Sequence, residues 1–105
     1  MAQFSVYKNP NGKTQGAYPY LLDIQNDLLD NLATRVVVPL TPAPAMEGKA
    51  IKTLMPLVNV EGKPYVMLTP QLAGISSKQL GGLAADLSHE REAIIAALDL
   101  LITGF

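Results

Sequence analysis

The sequence predicts an α+β fold in which several short strands precede one C-terminal helix. Short alternating or β-branched stretches, separated by Pro, Gly and Asn, occupy most of the chain, and an apolar stripe at helical spacing follows near its end. The chain has 105 residues, of which 49% are hydrophobic and 16% charged, which is typical of a globular protein. Since no repeat or linker divides it, we expect one domain over residues 1–105.

The strands are predicted from their side-chain patterns. The segments that resemble strands are 3–8, 18–24, 34–40, 54–60 and 65–69. In the first of these, Phe4 and Val6 share one face. Pro39 favours an edge or a strand end, because proline cannot donate to a ladder. Glu61-Gly62-Lys63 predicts a hairpin turn between the last two segments.

The remaining segments before the helix are expected to be turns and loops. Residues 9–12, 27–31 and 41–52 carry turn or connector residues, and 72–75 is a further short apolar piece. Gly81-Gly82 is interpreted as a turn before the helix. Closing so many short strands favours a small SH3-like barrel of mostly antiparallel strands.

The C-terminal helix is predicted over residues 89–103, with Ser88 as its N-cap and Gly104 just past its end. The residues of its core stripe are Leu87, Ile94, Leu98, Leu101 and Phe105, and Ile95 and Ile102 widen it. Between Ala93 and Ile102 only Asp99 is charged. A helix that is apolar nearly all round requires either a barrel that wraps it or a partner, and a partner is favoured.

Composition excludes several classes of function. Eight basic and nine acidic residues give a net charge of −1, which argues against tight nucleic-acid binding by the chain alone. The absence of cysteine excludes disulfide frameworks and thiolate catalysis. The N-terminal residues lack a signal-peptide pattern, and the longest apolar stretch is too short to span a bilayer, so a cytoplasmic location is expected.

No set of residues predicts catalysis, a cofactor or a metal site. His89 is the only histidine, and its neighbours Ser88 and Glu90 point in different directions on a helix. Capping by Ser88 is therefore favoured over a hydrolase site. Arg35 and Arg91 are the only arginines, and structural ion pairs are favoured over phosphate or partner contacts. Asp99, near the unfavourable end of the helix dipole, is a weak functional signal.

The sequence resembles the CcdB family of toxin–antitoxin toxins along nearly its whole length. The resemblance is carried by residues 3–7 (Gln-Phe-Ser-Val-Tyr), 22–30 (Leu-Asp-Ile-Gln-Asn-Asp-Leu-Leu-Asp), 35–40 (Arg-Val-Val-Val-Pro-Leu) and 85–89 (Ala-Asp-Leu-Ser-His), and by the final Gly104-Phe105. Four motifs in order, at the expected spacing, are far more specific than any one of them.

This resemblance implies a homodimeric SH3-like barrel that binds the A subunit of DNA gyrase and traps its complex with cleaved DNA. It implies neutralisation by a CcdA-like antitoxin, and binding of operator DNA only as the toxin–antitoxin complex. The residues that it places on the gyrase-contacting surface are Leu28, Leu29, Asp99, Ile102, Thr103, Gly104 and Phe105. Where the best-known tail of the family has Trp-Gly-Ile, this chain has Thr-Gly-Phe.

Two other functions remain open. A ribonuclease toxin of the MazF type has a similar fold, but it would need basic and acid–base groups on the barrel face, and this chain offers few. A peptide-binding barrel without toxicity is the second alternative. Growth inhibition separates this module from both toxins, and supercoiling and RNA-cleavage assays separate the toxins from each other.

Overall fold

A single antiparallel sheet, curled into a half-barrel, carries one helix at the C-terminal end of the chain. The structure is a computed structural model that describes residues 2–46, 48 and 51–104. Its elements are β1 (Ser5–Lys8), β2 (Tyr20–Asp23), β3 (Thr34–Pro42), β4 (Leu57–Val60), β5 (Lys63–Met67), β6 (Ala73–Ser76), β7 (Leu83–Asp86) and α1 (Arg91–Thr103). The predicted α+β fold is therefore confirmed.

The sheet is organised around β3. Its strand order is β4-β5-β3-β2-β1-β7, and β6 pairs with β3 on the same side as β5. Residues 34–37 of β3 pair with β6, whereas residues 40–42 pair with β5. The two ends of the path, β4 and β7, begin with Leu57 and Leu83, whose exposed fractions are 61% and 67%.

Pro39 lies within this central strand, so its predicted place at an edge or a strand end is wrong. It stands opposite Leu21 of β2, and its carbonyl accepts a hydrogen bond from Leu68 N on the other side (3.0 Å). On that second side, residues 38 and 39 lie between the β6-paired and the β5-paired stretches. The missing N–H of Pro39 therefore falls in the gap between two ladders, where no strand requires it.

The predicted hairpin is confirmed, and its turn shows why it forms. Glu61 and Gly62 have φ values of 52° and 81° and connect β4 to β5. Positive φ at both central residues is the signature of the two-residue type I′ turn, whose twist matches that of paired strands. Glycine at the second position adopts this conformation without steric cost.

Two predictions near the helix need correction. Gly81-Gly82 precedes β7 rather than the helix, because residues 83–86 form an edge strand on β1 that the sequence analysis missed. The α-helix begins at Arg91, after a 3₁₀ turn over residues 88–90. Ser88 caps nothing: its backbone N–H and its hydroxyl both bind the carboxylate of Asp86 (2.9 and 3.2 Å). Asp86 therefore holds the residue that begins the 3₁₀ turn, and no side chain among the described residues caps the start of the α-helix itself.

The core lies between the concave face of the sheet and one stripe of α1. Its buried members are Phe4, Val6, Leu22, Val38, Leu40, Val58, Val60, Tyr65, Met67, Leu87, Ile94 and Ala97. Phe4 and Val6 share the core as predicted, but Ser5 and Tyr7 are also buried, so β1 is covered on both faces. Within α1 only Ile94 and Ala97 are fully buried. The contact stripe of the helix is therefore narrow, and much of its apolar surface faces outward.

Candidate partner-binding surface

A short 3₁₀ turn over residues 27–29 presents two leucines to solvent. Leu28 is 89% exposed and Leu29 is 48% exposed. The side chain of Asn26 caps the turn by accepting a hydrogen bond from Leu28 N (2.8 Å). Asp27 ties it to the start of the chain, because its Oδ1 accepts from Gln3 N (2.7 Å). The neighbouring polar side chains thus hold the backbone, and the leucines are left facing outward.

Beneath this turn lies a buried ion pair. Arg35, on β3, is 1% exposed and Asp23, at the end of β2, is 0% exposed. The Nε and Nη2 atoms of Arg35 both contact Oδ2 of Asp23 (2.9 and 2.6 Å). Its Nη1 reaches Oδ1 of Asp30, just after the turn (2.5 Å). One guanidinium therefore links β2, β3 and the far end of the turn, as its fork of donors permits.

Gln25 forms a second link between the turn and the sheet. Its Nε2 donates to the carbonyl of Leu29 (2.9 Å), and its Oε1 accepts from Val36 N on β3 (3.0 Å). Its own backbone N–H donates to Oδ1 of Asp23 (3.0 Å). Because Gln25 is itself buried, these hydrogen bonds form away from water and help to define the path of the backbone.

Burial and ion pairing act in opposite directions on the pKa values of the three charged side chains in this cluster. Burial raises the pKa of Asp23, although Gln25 N and Arg35 act in the opposite direction. Burial alone would lower the pKa of Arg35, but its hydrogen bonds and charge contacts with Asp23 and Asp30 outweigh this and raise it. For Asp30, desolvation is outweighed by favourable partners, including Arg35, and its pKa is lowered. The arginine therefore stays charged across the physiological range.

The favoured interpretation of the arginines is confirmed for one of them. Arg35 makes structural ion pairs and is not available to a partner. Arg91 instead places its guanidinium 5.6 Å from the centre of the Phe4 ring, which is within the range of a cation–π contact. Sequence reasoning missed the Arg35 cluster, because residues 23, 25, 30 and 35 come together only through the pairing of β2 with β3.

The second group of predicted residues lies at the end of α1. Ile102 is 75% exposed, and Asp99, Thr103 and Gly104 are exposed as well. The prediction that Ile102 widens the core stripe is therefore wrong, because the last turn of the helix is not covered by the sheet. Thr103 Oγ1 donates to the carbonyl of Asp99 (2.7 Å). Phe105 lies outside the described residues.

The helix ends as predicted. Gly104 has a φ of 80°, in the left-handed region, and its N–H donates to the carbonyl of Leu100 (3.1 Å). This is the usual C-terminal glycine cap, and it turns the chain away from the helix axis. On the flank of α1, Asp99 lines a shallow depression together with Arg91, Glu92, Ile95 and Ala96.

The two predicted groups lie on different elements, the 27–29 turn and the last turn of α1. Arg91 lies over Phe4, beside Gln3, so α1 begins on the same side as the 27–29 turn. The helix then rises about 18 Å to Thr103. Among the described residues, no hydrogen bond or ion pair joins the turn to the last turn of α1. The residues of the two groups that the structure describes are all exposed: Leu28, Leu29, Asp99, Ile102, Thr103 and Gly104.

The region of Ser88 and His89 does not converge on a reacting atom. A cleft of about 500 Å³ lies there, but its lining comes entirely from the consecutive residues 88–93. The hydroxyl of Ser88 is bound to Asp86. Within residues 2–46, 48 and 51–104, no group of three or more His, Asp or Glu side chains is placed to hold a metal ion.

An apolar groove of about 740 Å³ lies beside β4 and was not foreseen from the sequence. Its walls include Pro44, Met46, Met55 and Leu57. The sequence signal that could have predicted this groove was the presence of methionine and proline in a predicted loop, since flexible methionines often line adaptable binding surfaces. No helix in the described part of the chain has the length and apolar character that a membrane span requires.

Comparison with known proteins agrees with this geometry. The family model described as CcdB protein matches residues 3–104, which is nearly the whole chain. The chain therefore belongs to the CcdB family of toxin–antitoxin toxins. Among solved structures, an endoribonuclease in complex with its cognate antitoxin from a mycobacterial species has a similar fold, with a TM-score of 0.75 and 18% sequence identity. The match covers 97% of this chain and 94% of that one.

Proposed function

We propose that this CcdB-family protein is a cytoplasmic toxin that binds the A subunit of DNA gyrase as a homodimer and inhibits the enzyme. A CcdA-like antitoxin neutralises it, and only the complex of the two binds and represses operator DNA. Family membership supports the toxin assignment. The observation that carries the proposal is the exposure of Leu28 on a turn that buried polar groups hold in place.

An exposed leucine on a well-held turn is suited to recognition of another protein. Leu28 leaves 89% of its side chain in water, which is unfavourable unless a partner covers it. Because the turn is already ordered, little conformational entropy is lost when it binds. The apolar end of α1, with Ile102 exposed, offers a second patch of the same character.

Binding rather than catalysis is the proposed mode of action. A ribonuclease needs exposed basic and acid–base groups that converge on the RNA. Here Arg35 is buried against Asp23, and Arg91 lies over Phe4. Ser88 is bound to Asp86. The arrangement supports a toxin that acts through contact with its target.

The homodimer is proposed from the surface of α1. The helix buries only Ile94 and Ala97 fully, and Leu98, Leu100 and Leu101 keep part of their side chains in solvent. Pairing two copies through this surface would cover apolar area that one chain leaves exposed. It would also bring two C-terminal tails into one assembly. The antitoxin partner draws further support from the similarly folded endoribonuclease, whose structure includes its cognate antitoxin.

The test compares gyrase binding with folding in three variants. Leu28→Ala and deletion of residues 103–105 should each abolish or strongly weaken binding to the purified gyrase A subunit and relieve inhibition of supercoiling. Leu28, Thr103 and Gly104 are exposed, so the melting temperature should change little in both variants. Leu83→Ala is the matched control, because Leu83 is 67% exposed but pairs with Tyr7, at the opposite end of β1 from Gln3.

The outcome decides between the open functions. Gyrase affinity that is unchanged by both variants would contradict the assignment of this surface. Wild-type protein that cleaves RNA and leaves supercoiling intact would replace the proposal with a ribonuclease toxin. Protein that neither inhibits growth nor affects either assay would favour the peptide-binding module.

A further inference from the structure

The buried Arg35 cluster connects the sheet to the 27–29 turn through directional contacts, which an apolar core would not provide. Replacing a buried ion pair by well-packed apolar side chains is often neutral or stabilising, so such a pair is weak evidence for stability alone. What the cluster adds is a fixed position of the turn relative to the sheet. Arg35 reaches Asp23 inside the sheet and Asp30 at the end of the turn, and Asp30 keeps 42% of its side chain exposed.

The hydrogen bonds of the cluster enclose the turn from both ends. At the start of the loop, Gln25 is held by Asp23 and by Val36 N. At its end, Asp30 is held by Arg35. Between these anchors, the backbone of the turn bonds locally, as Leu29 N does to the carbonyl of Asn26 (3.0 Å). Two further hydrogen bonds reach the turn, from Gln3 N to Oδ1 of Asp27 and from Gln25 Nε2 to the carbonyl of Leu29. A 3₁₀ turn this short has no stability of its own, so its conformation depends on its anchors.

We propose that Arg35 and Asp30 are positioning residues, whose ion pair fixes the 27–29 turn so that Leu28 is presented to the protein partner. The inference rests on the proposed function, which supplies the partner, and deepens it by naming residues that do not touch that partner. Without the bridge, the turn keeps its hydrogen bonds from Gln3 and Gln25 but loses the anchor at its C-terminal end, so it samples other conformations more often. The apparent affinity then falls by the fraction of molecules that keep the binding-competent one.

Asp30→Asn is the discriminating variant, because Asp30 is partly exposed and the buried pair of Arg35 with Asp23 remains. We expect its affinity for the gyrase A subunit to fall by about tenfold or more. Hydrogen exchange at the amides of Leu29 and Leu32, which bond within the loop, should accelerate. The melting temperature should stay within about 4 °C of the wild type.

Two further variants control this result. Asp30→Glu keeps the carboxylate and should recover both the affinity and the slow exchange. Glu61→Gln makes the same kind of change in the β4–β5 turn, away from the loop, and should behave as the wild type in both measurements. Leu28→Ala reports on the proposed function alone, because it removes the contact and leaves the bridge in place.

Each outcome has one meaning. The positioning role would be overturned if Asp30→Asn bound as tightly as Glu61→Gln while Leu28→Ala failed to bind. The proposed function would remain intact in that case. Weaker binding with unchanged exchange would mean that the carboxylate contacts gyrase directly, and would also overturn it. A general acceleration of exchange across the sheet would make Asp30 a global stabiliser instead. If the wild type does not bind gyrase A, the proposed function fails, and unchanged loop exchange in Asp30→Asn would overturn the positioning role independently.

Discussion

Two adjacent glycines offer a sharp test of how tightly β7 is packed on β1. A Cβ atom added at Gly81 would lie 2.6 Å from the carbonyl oxygen of Lys8 and 3.1 Å from its Cβ, whereas one added at Gly82 would meet nothing within 4 Å. Carbon–oxygen contacts of this kind normally begin at about 3.3 Å. Gly81→Ala therefore requires a movement of roughly 0.7 Å between the two segments.

The surrounding hydrogen bonds determine what this movement costs. Lys8 is held by its pairing with Tyr20, by its N–H bond to the carbonyl of Gly82 (2.9 Å) and by its carbonyl, which accepts from Gly81 N (2.8 Å). Its backbone therefore cannot move away freely. Overpacking of this kind costs about 1–3 kcal/mol, and the reduced entropy of the unfolded chain returns about 0.4–1 kcal/mol.

We expect Gly81→Ala to be less stable than Gly82→Ala by about 2 kcal/mol. That difference corresponds to about 8–16 °C in melting temperature for a domain of this size. Urea unfolding followed by circular dichroism, with thermal melts beside it, measures both quantities. Stabilities of the two variants within about 0.5 kcal/mol of each other would refute the packing argument.

Two further predictions concern the helix and the buried ion pair. Ile94→Ala should lower the free energy of unfolding by about 2–5 kcal/mol, because the side chain is fully buried. Ile102→Ala changes a position that is 75% exposed, so it should cost less than about 0.5 kcal/mol. Equal losses in urea unfolding would contradict the placement of the helix. Arg35→Met should cost about 3–5 kcal/mol at pH 7, because it leaves the carboxylate of Asp23 buried without its cation. Burial already raises the pKa of Asp23 above its unfolded value of 3.8, and loss of the arginine raises it further. The destabilisation contributed by Asp23 is therefore absent below pH 3.8 and grows as the pH rises through the folded pKa. Denaturation curves at pH 4 and pH 7 check the sign, and a larger loss at pH 4 would contradict it.

The sequence predicted those parts of the fold that local patterns determine. Alternation located β1, the β-branched run Val36–Val38 located β3, and Glu61-Gly62 located the hairpin. The edge strand β7 was missed, because Leu-Ala-Ala-Asp has no β-branched residue and its pairing with β1 is decided by neighbours distant in sequence. Ser88 was misassigned as a cap, because Asp86, two residues earlier, binds the same turn with a stronger acceptor.

The candidate surface was predictable only in part. Leu28 and Ile102 are exposed, as a binding role requires, and Gly104 takes the left-handed conformation expected after a helix. The cluster that holds the turn could not be read from the sequence, because Asp23 and Arg35 are twelve residues apart and meet only through strand register. Long-range pairing of this kind leaves no periodic signal in a single sequence.

The two ends of the sheet determine how the isolated chain behaves in concentrated solution. Within the described residues, β4 and β7 each pair with a single strand, and each begins with a leucine that is mostly in water. An unpaired strand edge can act as a template for a strand from another copy. With a net charge of only −1, copies of this chain repel each other weakly. We therefore expect edge-to-edge association to be a route of aggregation at high protein concentration, and added charge on β4 or β7 is the direct way to oppose it.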